Sequence, residues 1–230
     1  MKIKYLNLGL VFCMLMGSLL SAYPTYATPT SWPPVSFWNY PYDPSIFDSI
    51  SFGLYDEIPQ GWTCLWDFGD GTTYNECWVN EAKQYNTDGD YTVNLQVTNE
   101  IGETASVSRV VSVRTHDVAI TKFTAPQSAR AGQTRQIVVY LRNNRYPEYV
   151  QVELYKSTSN GYASVGTIFP QLVPVRQANR TTAFYFSYTF TAEDAYNGKV
   201  TFMAMAFIID LRDALPGDNE AISLPTRVSR

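Results

Sequence analysis

Past the first few dozen residues, apolar side chains recur at every second position over short stretches, each closed by Gly, Pro, Asn or Asp. Ile50, Phe52 and Leu54 alternate first, then Cys64, Trp66 and Phe68, then Tyr91, Val93, Leu95 and Val97, and a further strand runs from Ala105 to Val113. A second series follows: Val118, Ile120 and Phe123; a turn at Ala131-Gly132-Gln133; Ile137, Val139 and Leu141; then Val150, Val152 and Leu154. Phe184, Phe186, Tyr188 and Phe190 continue it, with Val200, Phe202, Ala204 and Ala206, and Ile222 and Leu224 near the end. A period of two broken by frequent turns predicts half-buried strands in sandwiches, and no stretch beyond the leader shows a helical period. The expected fold class is therefore all-β, with two tandem sandwich domains at 28–115 and 116–230. They join at Arg114-Thr115-His116 with almost no linker, so an end-to-end arrangement with restricted motion is expected.

The leader breaks this pattern. Lys2 and Lys4 precede an uncharged run from Leu8 to Leu20, and Thr25-Tyr26-Ala27 offers small residues at both recognition positions of a cleavage site. That layout predicts a secretory signal peptide over residues 1–27. Its apolar run is shorter than the roughly 20 residues that span a bilayer, and no membrane span is expected in the mature chain.

Signal removal takes Cys13 away and leaves Cys64 and Cys77, an even pair in an oxidising compartment, for which a disulfide is expected; the alternative is two free buried thiols. Asp70-Gly71 between them is a two-residue hairpin signal, because both residues tolerate the positive φ of a type I′ turn. In that register Gly69 faces Thr72 and Phe68 faces Thr73, and counting outward makes Cys64 and Cys77 a non-hydrogen-bonded pair, close enough to bridge.

Charge divides at the same joint. The whole chain carries −4 at neutral pH, but residues 28–115 hold three Lys/Arg against twelve Asp/Glu, a net −9. Residues 116–230 hold twelve against nine, a net +3. An acidic unit is thus fused to a mildly basic one, which favours solubility and mutual attraction between neighbours. A nucleic-acid partner is not expected, since the charged fraction of 17% is well below the roughly 25% of an average chain.

Trp66-Asp67-Phe68-Gly69-Asp70-Gly71 resembles the signature hexapeptide of the polycystic kidney disease (PKD) domain. Pro34-Val35, Phe37 to Pro44, Ile50-Ser51-Phe52, Gly89 to Val93 and Val97-Thr98-Asn99 are similar to other strands of that family, so the resemblance covers about residues 33–114. It implies an immunoglobulin-like β-sandwich in which a cysteine bridge across this hairpin is a local addition. Independently of the family, Trp66 and Phe68 share a face with Cys64 and would fill the core, while Asp67 points away. Tyr91, following Asp88-Gly89-Asp90, is placed as a tyrosine corner, its hydroxyl bonding backbone upstream. The second half is similar to CARDB domains, cell-adhesion-related modules of bacteria. The similar positions are His116 to Ile120, Gly132, Val139, Leu141, Asn143, Val150 to Tyr155, Asp213 and Pro216-Gly217-Asp218-Asn219-Glu220, over about residues 116–228. The glycine usual after the central Asn is replaced by Asn144-Arg145, and the loop from Arg145 to Tyr149 is unusual. A fibronectin-like sandwich of another family is the alternative.

A single His leaves little room for Ser-His-Asp or zinc-histidine chemistry, and G-x-S-x-G, H-E-x-x-H, G-x-x-x-x-G-K-[ST] and G-x-G-x-x-G do not occur. His116 itself is expected as an exposed linker residue. Asp67, Asp70, Asp88 and Asp90 could pair as in a glycosidase, but such a pair needs a cleft that a small sandwich filled by its own core seldom has. No cofactor is expected. Calcium is the one metal the spacing of Asn86, Asp88 and Asp90 admits, although Tyr91 stands where an EF-hand needs Gly and no ligand Glu follows. Trp32, Trp38, Tyr40, Tyr42, Trp62 and Trp78 either pack at the opening strand and the joint or present faces that stack on sugar rings. Asn179-Arg180-Thr181 is a glycosylation sequon. The expected function is a secreted or cell-surface, non-enzymatic binding or adhesion module with an extracellular protein or polysaccharide partner.

Overall fold

The computed structural model describes residues 35–78, 82–177 and 180–230. The predicted leader, Trp32 and Asn179 of the sequon lie outside these residues.

The first sandwich faces a two-stranded sheet against a four-stranded one. β1 (Phe37–Tyr40) pairs antiparallel with β2 (Ser51–Leu54); β3 (Thr63–Asp67), β4 (Thr73–Tyr74), β5 (Gly89–Thr98) and β6 (Thr104–Val113) form an antiparallel sheet ordered β4-β3-β5-β6. Alternation works here because one face is dry: Cys64 and Trp66 are buried while Thr63, Leu65 and Asp67 are exposed, and Val93, Leu95 and Val97 are fully buried. Between the sheets the Trp66 ring meets Phe37 edge-on at 5.2 Å, Phe52 at 5.9 Å and Phe68 in a stacked arrangement at 6.3 Å. The indole N–H of Trp66 donates to the Glu76 carbonyl at 3.1 Å. Truncating such a fully enclosed Trp to Ala costs about 3–5 kcal/mol.

The hairpin of the hexapeptide differs from its expected register by one residue. Asp67 pairs with Thr73 and Trp66 with Tyr74, and the Phe68 amide donates to the Thr72 carbonyl at 3.1 Å. Three residues therefore turn the chain instead of two. The left-handed conformation falls on Gly69 (φ 74°) and Gly71 (φ 86°) and not on Asp70. Gly69 is doubly required, because a Cβ there would stand 2.6 Å from the Thr92 carbonyl oxygen, a backbone atom that cannot step aside. The chain leaves the ladder after Tyr74, so Cys64 faces Val97 of β5 and not Cys77. The disulfide is nonetheless present, with Cα atoms 4.8 Å apart: Cys77 returns to Cys64 through the loop after β4. Closing this loop contributes about 3 kcal/mol in the chain-entropy account.

The second sandwich packs the sheet of β7 (Ala119–Thr124), β9 (Thr134–Arg142) and β12 (Thr182–Thr189) on that of β10 (Glu148–Thr158), β11 (Gly161–Val173), β14 (Phe202–Ile208) and β15 (Glu220–Ile222). β8 (Ser128–Arg130), β13 (Lys199–Val200) and β16 (Thr226–Ser229) close one edge, with β16 and β8 parallel. Ile137, Val139, Leu141, Val150, Val152, Leu154, Phe184 and Phe202 form its core. Two departures from the expected pattern stand out. Ile222 and Leu224 are exposed and Ser223 between them is buried, its hydroxyl accepting from the Phe202 amide at 2.9 Å, so a hydrogen bond sets the inward parity of this edge. One short helix, α1 (Ala192–Asn197), appears where no helical period was expected. It is held by its ends. Thr191 and Asp194 form a capping box and Gly198 closes the far end in the left-handed conformation. Asp194 is buried and also accepts from Lys156 Nζ (2.9 Å) and the Tyr188 hydroxyl (2.6 Å); these bonds outweigh burial and hold its carboxyl below the usual range.

Residues 34–230 form one compact unit. Among the described residues no helix is long and apolar enough to cross a membrane.

Candidate functional site

Four groups of residues carry the chemistry the sequence points to: the hexapeptide hairpin, the joint, the turn at 213–219 and the exposed aromatics. In the hairpin each carboxylate is engaged locally. Asp67 Oδ1 accepts from the Gly69 amide (2.9 Å), and Asp70 Oδ1 accepts from the amide and hydroxyl of Thr72 (3.1 and 2.6 Å). Asp70 Oδ2 pairs with Lys83 Nζ, which also donates to Thr72 Oγ1 (2.7 Å) and lies 5.1 Å from the centre of the Tyr85 ring. Burial works against the Asp70 charge, but the bonds from Lys83 and Thr72 win and its pKa falls. Tyr85 is buried, donates to the Phe68 carbonyl (2.9 Å), and is pushed up by burial and by the Asp70 charge. The Tyr91 hydroxyl donates to the Thr87 carbonyl (2.8 Å), and its ring stacks on Tyr85 at 3.9 Å. Lys83 and Tyr85, absent from the sequence argument, are thus the two residues that fasten the hexapeptide from outside.

At the joint, Asp88 is the hub. Its Oδ1 accepts from the Thr115 hydroxyl at 2.6 Å, and its Oδ2 accepts from the Tyr146 hydroxyl at 2.9 Å and faces Arg145 Nη1 at 3.5 Å. Thr115 is fully buried, and its Oγ1 in turn accepts from the Ile46 amide at 3.1 Å. Burial raises the Asp88 pKa, but the bonds from Thr115 and Tyr146 and the Arg145 charge outweigh it, and the net shift is downward. Asp90 accepts from Arg114 at 2.8 Å. The two aspartates of the calcium expectation are therefore already supplied with the chain's own donors and cations.

A second strap runs alongside. Arg212 Nη2 donates to Asp48 Oδ2 (2.5 Å) and to the Asp43 carbonyl (3.0 Å), a basic residue of the second half engaging two acidic ones of the first. The complementary charge of the halves, legible in composition, is realised at this joint. The unusual Arg145–Tyr149 loop supplies both second-half partners of Asp88. Asn143 shapes it, donating through Nδ2 to the Tyr146 and Val173 carbonyls (2.6 and 3.0 Å).

His116 is half-buried here and not an exposed linker residue. Its Nδ1 shares a hydrogen bond with Glu148 Oε1 at 2.7 Å, and its ring lies 5.0 Å from that of Tyr146. Glu148 is only 1% exposed; burial raises its pKa more than the His116 contact lowers it.

The turn at 213–219 sits directly beyond His116. Ala214 donates its amide to the His116 carbonyl (2.8 Å), and the Val118 amide donates to Asp213 Oδ2 (3.2 Å). Asp117, between them, is pinned against the turn. Asp213 is filled, its Oδ1 accepting from the Leu215 amide at 2.8 Å. Asp117 Oδ1, Asp218 Oδ1 and Asn219 Oδ1 are buried with no hydrogen-bond partner. Burial first and then the Asp213 charge raise the pKa of Asp117; burial, Asp117 and Asp213 raise that of Asp218.

The aromatics divide. The Trp38 ring lies flat across Gly53 of β2, where a Cβ would meet it at 2.3 Å, so it is a packing element. Tyr40, Tyr42 and Trp78 are 66%, 74% and 54% exposed. Tyr40 and Tyr42 stand edge-to-face at 85°, not as one flat platform. Trp62 and Trp78 adjoin the two ends of the disulfide loop.

Residues 53–114 match the PKD domain family model, which bears out the resemblance carried by the hexapeptide. No curated protein matches the chain. Among solved structures, similarity is found to one described as the structural basis for the promiscuous specificity of carbohydrate-binding modules from the beta-sandwich superfamily. It has 15% identity and a TM-score of 0.32, and the alignment covers 68% of this chain and 84% of that one. Another is SGBP-B of the Bacteroides ovatus mixed-linkage glucan utilization locus, in complex with a mixed-linkage heptasaccharide. It has 15% identity and a TM-score of 0.26 over 82% of this chain, which spans 42% of that structure's length.

Proposed function

We propose that the protein is a secreted, non-enzymatic binding module that acts through its outer faces on an extracellular protein partner. In this reading a PKD-like unit over 28–115 and a CARDB-like unit over 116–230 are joined as a stiff pair. The observation that carries it is the state of the carboxylates. Asp67, Asp70, Asp88 and Asp90, the groups that acid–base chemistry would have needed, are bonded within the fold or across the joint. Asp70, Asp88 and Asp90 are held low by donors of their own chain, which suits struts and not general acids. The disulfide fits an oxidising compartment, in agreement with the leader-like segment.

Polysaccharide binding is the second reading, favoured by the exposed Tyr40, Tyr42 and Trp78. One experiment separates the two. The purified mature chain is added to intact cells of its source organism, untreated, protease-shaved or periodate-oxidised. Retention lost on shaving supports the protein partner. Retention lost on oxidation, together with retarded migration in polysaccharide-containing gels that Tyr40→Ala and Tyr42→Ala relieve, supports the glycan. No retention on any cells overturns both.

A further inference from the structure

Among the described residues, four buried side-chain oxygens or nitrogens lack a partner, and three of them belong to Asp117, Asp218 and Asn219. Orphaned oxygens are rare in a folded chain because each costs about 1–3 kcal/mol. Asp218 and Asn219 belong to the turn, the 116–118 segment is hydrogen-bonded beside it, and the Asp117 charge acts on Asp218, so the three call for a common explanation. Asp117 and Asn219 are each only 8% exposed, so bulk water does not meet their needs. All three are acceptors, and two are carboxylates. The missing partner must therefore bring positive charge or several donors at once.

The chain does not provide it. Arg142 approaches Asp218 from the solvent side, 4.0 Å from Oδ2, and leaves Oδ1 free. Arg145, the other cation acting on Asp117, is turned toward Asp88. Asp213 adds a third negative charge at the turn, and its own oxygens are filled by the Val118 and Leu215 amides. It thereby holds Asp117 and the turn together without needing the missing partner. No three Asp, Glu, His or Cys side chains converge among the described residues. The constellation is of another kind: two carboxylates and an amide oxygen, the all-oxygen set that hard divalent cations take.

We infer that Asp117 Oδ1, Asp218 Oδ1 and Asn219 Oδ1 are ligands of a hard divalent cation of the calcium class, with water completing the shell. Asn219 and Asp213 also line an open pocket of about 320 Å³ beside the turn. Calcium suits the site better than magnesium, because it accepts irregular oxygen sets of about six to eight ligands, whereas magnesium demands a near-ideal octahedron. The position differs from the Asn86–Asp90 loop, where the carboxylates are filled, and the inference is independent of whether the partner is a protein or a glycan.

Thermal melts and isothermal titration of the mature chain with calcium chloride, magnesium chloride or EDTA test it. Extracellular modules bind calcium at about 10⁻⁴–10⁻³ M, so about 5 mM calcium should raise the midpoint by roughly 3–8 °C over EDTA, and magnesium by less. Titration should find one site per chain. Asp117→Asn and Asp218→Asn should each abolish the rise, and Asp88→Asn should keep it. No heat of binding and no rise in the wild-type chain would overturn the inference and leave ordered water as the occupant. A rise that survives both variants, or that Asp88→Asn alone removes, would overturn it too. The wild-type titration decides the matter even where a variant fails to fold.

Discussion

Asp88 and Asp117 lie on either side of Thr115, one in the acidic half and one in the basic half, and they meet opposite surroundings. Asp88 receives the Thr115 and Tyr146 hydroxyls and the Arg145 guanidinium, and its pKa falls despite partial burial. Asp117 is more deeply buried, keeps one oxygen without a donor, faces Asp213, and its pKa rises. Local acidity therefore says little about function. The half with more carboxylates has its hairpin and joint aspartates matched to donors; the half with fewer holds the buried carboxylate oxygens without one. A loop rich in Asp is a strut where donors reach it and a ligand-seeking site where they do not.

The largest effect that would break this contrast is loss of the hub. Asp88→Ala should lower unfolding free energy by about 2–3 kcal/mol in urea titrations, because the buried Thr115 hydroxyl and that of Tyr146 lose their acceptor. A loss under about 0.5 kcal/mol would mean that Asp88 is not the joint's hub.

Acid sharpens the comparison. Folded Asp88 binds its proton less tightly than in the unfolded chain, so its contribution is complete above the unfolded value of roughly 4 and is lost as pH falls through the lower folded value. The stability gap between wild type and Asp88→Asn should thus be constant at neutral pH and close only in that acid window. A gap that widens on acidification would reverse the assignment.

Asp117→Asn, measured in EDTA, should leave stability unchanged or raise it by up to about 1 kcal/mol, since it removes a buried charge facing Asp213. A loss comparable to that of Asp88→Ala would erase the distinction between the two sites. The smallest effect is expected at Arg212→Ala, about 0.5–1 kcal/mol and shrinking with salt, because the Arg212 side chain is 38% exposed.

Much of the fold was legible. The alternation at Cys64-Trp66, Val93 to Val97, Ile137 to Leu141 and Val150 to Leu154 marks strands with one dry face, which is where a period of two is strongest. β11 escaped because it is an edge strand whose thirteen residues bury almost none of their side chains, so its apolar positions keep no period. α1 escaped because six residues are too few for a helical period, although Thr191, Asp194 and Gly198 spell its two caps. The hairpin shows a finer limit. The cysteine pair was found, but its assumed ladder register was off by one, because a loop of two and a loop of three residues can use the same Gly-Asp-Gly. At the joint, Asp88 and Asp90 were visible as acids, while Tyr146 and Arg212 were ordinary surface residues until folding brought them in.

What the amino-acid order determined by itself was local: which side chains face inward, where the chain must turn, that Cys64 and Cys77 flank one hairpin, and that charge divides at Thr115. Those properties depend on neighbours within a few residues. At the joint, which carboxylates are satisfied was decided by tertiary structure, because the donors come from afar. Thr115 is 27 residues from Asp88, Tyr146 is 58 from it, and Arg212 is 164 from Asp48. A hydrogen bond is formed by approach in space, and no local period records whether the approach is made. That is why the aspartates of the joint became struts and the buried oxygens of Asp117, Asp218 and Asn219 were left without a donor.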